Sequence, residues 1–514
     1  MPSFMNRETT RRAIFTLSAL AVIGLGSAGW IWVHREANHE LIEALEDAKA
    51  HLPSGVDFTW GKAIALPTSH GARLTDVVLK DPSGTISAAT IELIGAVVGS
   101  PTEAKSTPDH SSLHFDHVIA YTLQITGAGG TMQAKRLSLD GLLLPPPTED
   151  QVSSLMMDHG EATQAVMTSA DGLESARAAH VILDQYGTGR VSRLTVSKFQ
   201  LHYGDHPVRD VSMGELVSDG SDLAGLLQSY LKGDGLLFHD GNQSITVEDF
   251  LLKGEVDGPG SAEDRLAGFE KAHLHIDTDG QKSRVTESLT HFKLWPTGPR
   301  TMIIKSLGYE KFDAAIVLNA IVDREADIAH VTEFDVNARE FGHLNIAGDF
   351  TQLTAQQGAL PQPQIVHLDF SWRDAGLVPR LLNNAAVNQG MDPDAYVTLL
   401  RRTWAPVGSP PDSMGAQLAG YIANPAAGPL TAMLAPEKPV PVLALAAIPE
   451  AVTHKHLAES LGLTVRAPTP ATGDDAQAPD PNTTTDEPVD PEVLAPGPSV
   501  APKEGVSASP TGKH

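Results

Sequence analysis

Histidine and carboxylate residues that could bind a metal ion lie closest together at His110, His114, Asp116 and His117. A zinc site needs such ligands to converge on one point. Alternate side chains of an extended strand share a face, so His114 and Asp116 point one way and His117 the other. This spacing disfavours a single metal site, and we interpret the histidines as solvated surface residues.

A second pair, His273 and His275, is separated by Leu274 and shares one strand face. The sequence contains no HExxH motif and no other His and carboxylate spacing typical of a zinc enzyme. Two imidazoles alone do not complete a tetrahedral zinc site. We expect these side chains to be solvent-exposed as well, and we predict neither a metal nor a cofactor.

Two short segments match ligand-binding motifs only in part. Asp277-Thr278-Asp279-Gly280 resembles the beginning of a calcium loop, but the glycine position and the final glutamate of an EF-hand are missing. Gly127-Ala128-Gly129-Gly130 lacks the Lys-Ser/Thr pair of a phosphate-binding loop and precedes a strand pattern. Both segments are predicted to be turns between antiparallel strands.

Composition limits the remaining chemistry. The 514-residue chain has no Cys, which excludes disulfides, thiolate nucleophiles and cysteine-ligated metals. A formal net charge of −26 disfavours nucleic-acid binding, because that binding needs a basic surface. No GxSxG motif of a serine hydrolase occurs. We predict a protein that is not an enzyme, with no catalytic residue assigned. A hydrolase whose acid and base are hidden among the many carboxylates stays open.

Residues 13–33 are predicted to be a transmembrane anchor. The segment carries no charge and is long enough to cross a hydrocarbon core of about 30 Å. Arg11 and Arg12 precede it, so the positive-inside rule places residues 1–12 in the cytoplasm. The alternative is a cleaved signal peptide ending at Gly26-Ser27-Ala28. The expected location is the inner membrane, with a single span and the bulk of the chain in the periplasm.

Beyond the anchor, residues 34–52 have a helical pattern, and residues 53–370 alternate apolar with polar side chains, as half-buried strands do. We predict a β-rich α+β fold: a long twisted antiparallel sheet whose apolar face is covered by short helices or by itself. One such helix is expected from Ser221, as its N-cap, to Lys232. The clearest strand segments are Gly84 to Ala96, Gly130 to Leu142, Val191 to Asp205, Gln243 to Glu255, Lys311 to Ala326 and Ile328 to Asp349.

The period changes near the C-terminus. Residues 371–466 are predicted to be a helical region with a closing strand, and residues 467–514 a disordered, acidic and proline-rich tail. The expected elements are helices from Asp374 to Met391 and from Pro393 to Ala405, with Asp392 as cap, a strand from Leu430 to Ala446 and a helix from His454 to Leu461.

Four segments carry a resemblance to a known group. They run from Leu307 to Phe350, from Phe370 to Gly390, from Met433 to Leu445 and from Leu457 to Ala467. They are similar to families of unknown function in Gram-negative envelopes that are grouped loosely with AsmA-like proteins. The resemblance implies curved sheets with an apolar inner face, and lipid transfer between membranes for some members. It implies no catalytic residues.

These observations predict a non-enzymatic envelope protein that binds lipid or another apolar ligand, or supports envelope integrity. The alternative is an interaction scaffold that docks other envelope proteins, and a second alternative is an envelope hydrolase. Beside the membrane itself, the expected partners are therefore lipid and envelope proteins, and not nucleic acid. An open apolar face would favour lipid, and a closed core would favour the scaffold.

Overall fold

The computed structural model describes residues 37–50, 52, 55–98, 113–144, 155–204, 208–232, 240–255, 263–297, 301–353, 363–447 and 455–468. All belong to the first of two units into which the chain divides, Met1–Pro468. The predicted segments 1–12 and 13–33 lie outside the described residues, as does the predicted tail from residue 469 onward. Among the described residues, no helix is long and apolar enough to cross a membrane.

In the part of the chain that the structure describes, twenty-one strands form one antiparallel sheet, which confirms the predicted β-rich fold with a single long sheet. Most strands pair with the next strand along the chain. The strands are β1 Asp57–Thr59, β2 Lys62–Leu66, β3 Gly71–Asp81, β4 Gly84–Ile94, β5 Val97–Val98, β6 Leu113–Gly127, β7 Gly130–Leu144, β8 Met157–Ser169, β9 Glu174–Tyr186, β10 Ser192–Tyr203, β11 Val208–Ser221, β12 Gly241–Glu255, β13 Glu263–Asp279, β14 Lys282–Leu294, β15 Phe312–Asp323, β16 Ile328–Ala338, β17 Gly342–Thr351, β18 Gln364–Asp374, β19 Leu430–Leu434, β20 Val440–Pro441 and β21 Leu463–Arg466.

Both predicted turn segments join neighbouring strands. Gly127 pairs with Gly130 across a two-residue turn between β6 and β7. Asp279 pairs with Lys282 in the same way between β13 and β14. The turn interpretation is confirmed for both, and the short connections explain why consecutive strands lie side by side.

Seven short α-helices accompany the sheet within the described residues. The predicted cap of the fifth is confirmed, because the Asp392 carboxylate accepts hydrogen bonds from the amides of Asp394 at 3.0 Å and Ala395 at 3.2 Å. The helices are α1 Ala37–Ala50, α2 Leu223–Lys232, α3 Met302–Ser306, α4 Leu377–Asn388, α5 Pro393–Trp404, α6 Met414–Ala423 and α7 Lys455–Ser460.

Two details of the sequence interpretation were wrong. Ser221 is the last residue of β11, and the N-cap of α2 is Asp222, whose carboxylate accepts hydrogen bonds from the amides of Gly225 and Gly189, each at 2.7 Å. A carboxylate satisfies both donors, which a single hydroxyl serves less well. The predicted strand from Leu430 to Ala446 is divided into β19 and β20, because the prolines between them cannot donate to a ladder, and its last residues belong to a 3-10 helix at Val442–Ala447.

The buried cores lie toward the two ends of the sheet. At the N-terminal end, α1 packs Leu41 and Leu45 against Phe58 of β1, and each of these side chains is 1% exposed. At the C-terminal end, Ile365 of β18 and Leu434 of β19 pack with Leu461, which follows α7. Helices α2 and α3 contribute Ala224 and Ile304 to two further clusters.

A line of left-handed residues runs across the sheet. Strands β3, β6, β8, β10, β12 and β14 each contain one non-glycine residue with φ between 50° and 53°, and the ladder pairing is interrupted beside it. All six side chains are exposed. The residues of this line, named the break line here, are Asp76, Thr122, Gln164, Lys198, Asp249 and His291.

The break line shifts the alternation of side chains. In β3, Leu74 and Val77 are 4% and 1% exposed although they lie three residues apart, and an uninterrupted strand would place them on opposite faces. Ala120 and Leu123 of β6 repeat the spacing. The strands that lie between those of the break line have the same three-residue spacing of apolar side chains, so one apolar face continues across the break line. The other pairs are Ala88 with Ile91, Ala134 with Leu137, Ala178 with Val181, Val196 with Phe199, Met213 with Leu216, Val247 with Phe250, Phe269 with Ala272 and Leu289 with Phe292.

Replacing Lys198 by Ile should therefore lower the free energy of unfolding by about 1–2 kcal/mol, because a β-branched side chain is strained in the left-handed region. Gln200→Ile, at an exposed and ordinarily extended position of the same strand, should change it by less than about 0.5 kcal/mol. Urea unfolding of the two variants measures the difference. Equal losses would show that the left-handed conformation at Lys198 imposes no cost.

Candidate ligand-binding face

The central strands align their apolar side chains in rows that cross the sheet. One row runs through Val196, Leu216, Val247, Ala272 and Leu289, each directly opposite the next in the ladder. Parallel rows lie on either side, and together they form what we call the open face. Its apolar members are Leu194, Val196, Phe199, Leu201, Val211, Met213, Leu216, Ile245, Val247, Phe250, Leu252, Phe269, Ala272, Leu274, Ile276, Val285, Leu289, Phe292 and Leu294.

No apolar side chain of the open face is fully buried. Ile245 is 40% exposed and the others are half-buried, whereas Phe58 in the N-terminal core and Phe115 in the cluster that contains Ala224 are each 1% exposed. Of the four buried clusters formed by the described residues, none includes a side chain of β10 to β13. This part of the sheet thus presents apolar rows that the described helices do not cover.

Aromatic rings contact one another in a row along one side of the break line. The rings of Phe250 and Phe269 stack with centroids 4.7 Å apart and planes 9° from parallel. Phe292 meets Phe312 of β15 edge to face, at 6.3 Å between centroids. Large rings contribute much apolar area at little cost in conformational freedom, so these phenylalanines supply much of the apolar contact area of the open face.

Paired charges border one margin of the open face. Arg209 of β11 and Glu255 of β12 form an ion pair with side chains only 18% and 9% exposed. Arg209 also donates to the carbonyl oxygen of Tyr203 at 3.5 Å. A half-buried charge is tolerated when it has a charged partner and further hydrogen bonds. The margin therefore ends the apolar rows without leaving an isolated charge.

The reverse face of the sheet is mostly polar and contains most of the cross-strand histidine contacts. The Nδ1 atoms of His117, His159 and His202 lie 2.8, 2.6 and 2.9 Å from the carboxylates of Asp140, Asp184 and Asp210, directly across the ladder. These pairs use the histidines as surface ion-pair partners. Side chains on this face give the sheet a solvated exterior opposite the apolar rows.

His273 and His275 share one face of β13, as predicted, with ring centroids 6.4 Å apart. The expectation that they are solvent-exposed was wrong, because both are half-buried on the reverse face of the sheet. The His273 Nδ1 atom lies 2.9 Å from the Thr246 hydroxyl oxygen. Burial lowers the pKa of His273, and the neighbouring His275 and Lys271 lower it further. The ring therefore favours its neutral form.

The prediction that His117 points away from His114 and Asp116 was wrong. All three line one surface cleft of about 690 Å³, together with Asp140 and Asp158. Phe115 is buried and Val118 half-buried, so the alternation is interrupted and Asp116 and His117 both face outward. His110 lies outside the described residues. Within the described part of the chain, no group of three or more His, Asp or Glu is placed to hold a metal ion.

That interruption belongs to a second line of positive-φ residues on the alternate strands. Gly141 of β7 has φ +60°, and a Cβ there would collide with the Asp158 carboxylate of β8. Gly95, Gln185 and Gly220 occupy corresponding places after β4, in β9 and in β11. Strict period-two reasoning missed this line. The signal was present as apolar residues three apart, such as Leu139 with Leu142 and Leu183 with Tyr186.

Comparison with known proteins finds a family model described only as an uncharacterized protein, which matches residues 333–468. The matched segment begins in β16 and ends after β21, so it does not include strands β10 to β14 of the open face. The C-terminal part of the chain is thus similar to a family of unknown function. No curated protein matches the chain.

The exposure of the open face predicts unequal costs for two phenylalanine truncations. Phe58→Ala should lower the free energy of unfolding by about 3–5 kcal/mol, because Phe58 lies in a closed core. Phe250→Ala should cost about half as much or less, because water already reaches that ring. Denaturant titration compares them, and equal losses would show that the open face is covered in solution.

The neighbours of His273 predict its titration. In the folded protein its midpoint should lie below that of the same histidine in urea, and His275→Gln should raise it only in part, because burial is the larger cause. Since the unfolded chain then binds the proton more tightly, His273 lowers stability as the pH falls through the ordinary histidine range. NMR titration of the imidazole protons measures the His273 midpoint in the folded protein, in urea and in the His275→Gln variant. A folded midpoint at or above the urea value would contradict the prediction that burial lowers the pKa of His273.

Proposed function

We propose that this chain is a non-enzymatic, membrane-anchored envelope protein that binds lipid or another apolar ligand on the open face. The observation that carries the proposal is the set of half-buried apolar rows on β10 to β14. In this proposal residues 13–33 hold the protein in the inner membrane and the sheet lies in the periplasm.

The uncovered apolar side chains of the open face support a bound apolar ligand. Covering apolar surface contributes roughly 25 cal/mol per Å², and soluble monomers rarely expose contiguous apolar patches beyond a few hundred Å². Such a patch marks a surface that is covered in use. Polar groups on the reverse face keep that side in water, so the ligand belongs on the apolar side alone.

The dimensions of the open face suit an extended chain. Neighbouring strands lie about 4.8 Å apart, so five strands extend for about 19 Å, on the order of an acyl chain. The rows run across the strands, and an acyl chain laid along one row would contact an apolar side chain at nearly every strand. The resemblance to AsmA-like proteins, whose sheets have an apolar inner face, supports the same proposal.

Lipid analysis of the full chain tests the proposal. The protein should be extracted from the envelope under mild conditions and its co-purifying lipids measured by mass spectrometry, beside an unrelated periplasmic control. We expect a stoichiometric lipid. A stable protein free of lipid would overturn the proposal and favour the scaffold alternative.

A matched pair of variants locates the ligand. Leu216→Gln places an amide under the bound chain, where an unpaired polar group costs about 1–3 kcal/mol, so affinity for a fluorescent long-chain alcohol should fall roughly tenfold. Val217→Gln, the next residue on the reverse face between Thr195 and Thr246, should leave affinity unchanged. Equal affinity in both variants would place the ligand elsewhere.

A further inference from the structure

The open face contains a single charged side chain among the cross-strand rows of β10 to β14. Glu287 of β14 lies directly opposite Leu274 of β13 on one side and Leu318 of β15 on the other. Within its own strand, Val285 and Leu289 flank it on the same face. A carboxylate thus occupies a position that the pattern of its neighbours assigns to an apolar residue.

Glu287 has no partner for its charge among the described residues. It is exposed, and no ion pair or side-chain hydrogen bond to a described residue accompanies it. The contrast with Arg209 and Glu255 at the margin is direct, since those two charges neutralise each other. Within the described part of the chain, the Glu287 carboxylate is therefore open to water and has no charged partner.

A ligand lying on the open face would remove that water. Burying an unpaired carboxylate is costly, whereas a charge-assisted hydrogen bond from an ammonium group offsets the loss. An anionic headgroup at the same place would add repulsion between like charges, and a neutral one would supply no counter-charge. The position of Glu287 therefore distinguishes ligands by the charge of their polar group.

We propose that Glu287 selects amphiphiles whose polar group is a primary ammonium, with their apolar chains on the rows of the open face. This inference rests on the proposed lipid-binding function and adds the class of headgroup. The ammonium group donates to the carboxylate at the Leu274–Glu287–Leu318 row. The acyl chain then covers the neighbouring apolar rows.

Competition with single-chain probes tests the selection on the full-length protein. Hexadecylamine, hexadecanol and hexadecanoic acid share a chain and differ in charge, and each is titrated against a bound apolar fluorophore. We expect the amine to displace it at about a tenfold lower concentration than the acid. In Glu287→Gln the displacing concentrations of the three probes should agree within about twofold. In Glu287→Lys the acid should displace the fluorophore at a lower concentration than the amine.

Glu215→Gln is the matched control, because Glu215 lies on the polar face opposite Ser197 and its loss changes the net charge equally. It should retain the preference for the amine. Displacement by all three probes with no preference would overturn the selection and leave lipid binding intact. Preference that persists in Glu287→Gln would also overturn it. Absence of any displacement would overturn the proposed function together with this inference.

Discussion

The central constraint in this sheet is the repeated left-handed residue of the break line. An uninterrupted strand sends alternate side chains to opposite faces, so an apolar face that crosses an interruption needs every neighbouring strand to change phase at the same place. Asp76, Thr122 and Gln164 mark that place in β3, β6 and β8. The strands between them change phase as well, which keeps apolar residues together from the N-terminal core to the open face.

The character of the fold could be predicted from the sequence, but the phase of its strands could not. Alternation and glycine turns correctly indicated a long antiparallel sheet with short connections. Strict alternation would place Val196 and Phe199 on opposite faces. Both lie on the open face, where they pair across the ladder with Leu216 and Met213. A left-handed lysine between them has no distinctive sequence signal, because it is recognisable only when the same three-residue spacing is compared across strands.

The sequence predicted that an apolar surface exists but not which strands leave it uncovered. One-sided strands implied an apolar surface, but which part of it is covered depends on where helices pack. Helix α1 covers Phe58, whereas no comparable helix among the described residues covers Phe250. The predicted direction of His117 was wrong for the same reason as the predicted strand phase. Asp116 and His117 face the same side because the alternation of side chains is interrupted between them. The His–Asp contacts across the ladder needed register, which a single sequence does not supply.

Hairpin connectivity gives the sheet the properties of an extensible array. The left-handed residues Gln164, Lys198 and Asp249 occur once per pair of strands, so the hairpin is the smallest unit that carries the complete backbone pattern. Insertion or loss of one hairpin would change the number of strands that the apolar rows cross. The strands on both sides would keep their direction and the faces to which their side chains point. Duplication could therefore adjust the capacity of the face in steps of two strands, whereas a change of one strand would reverse the direction of all that follow.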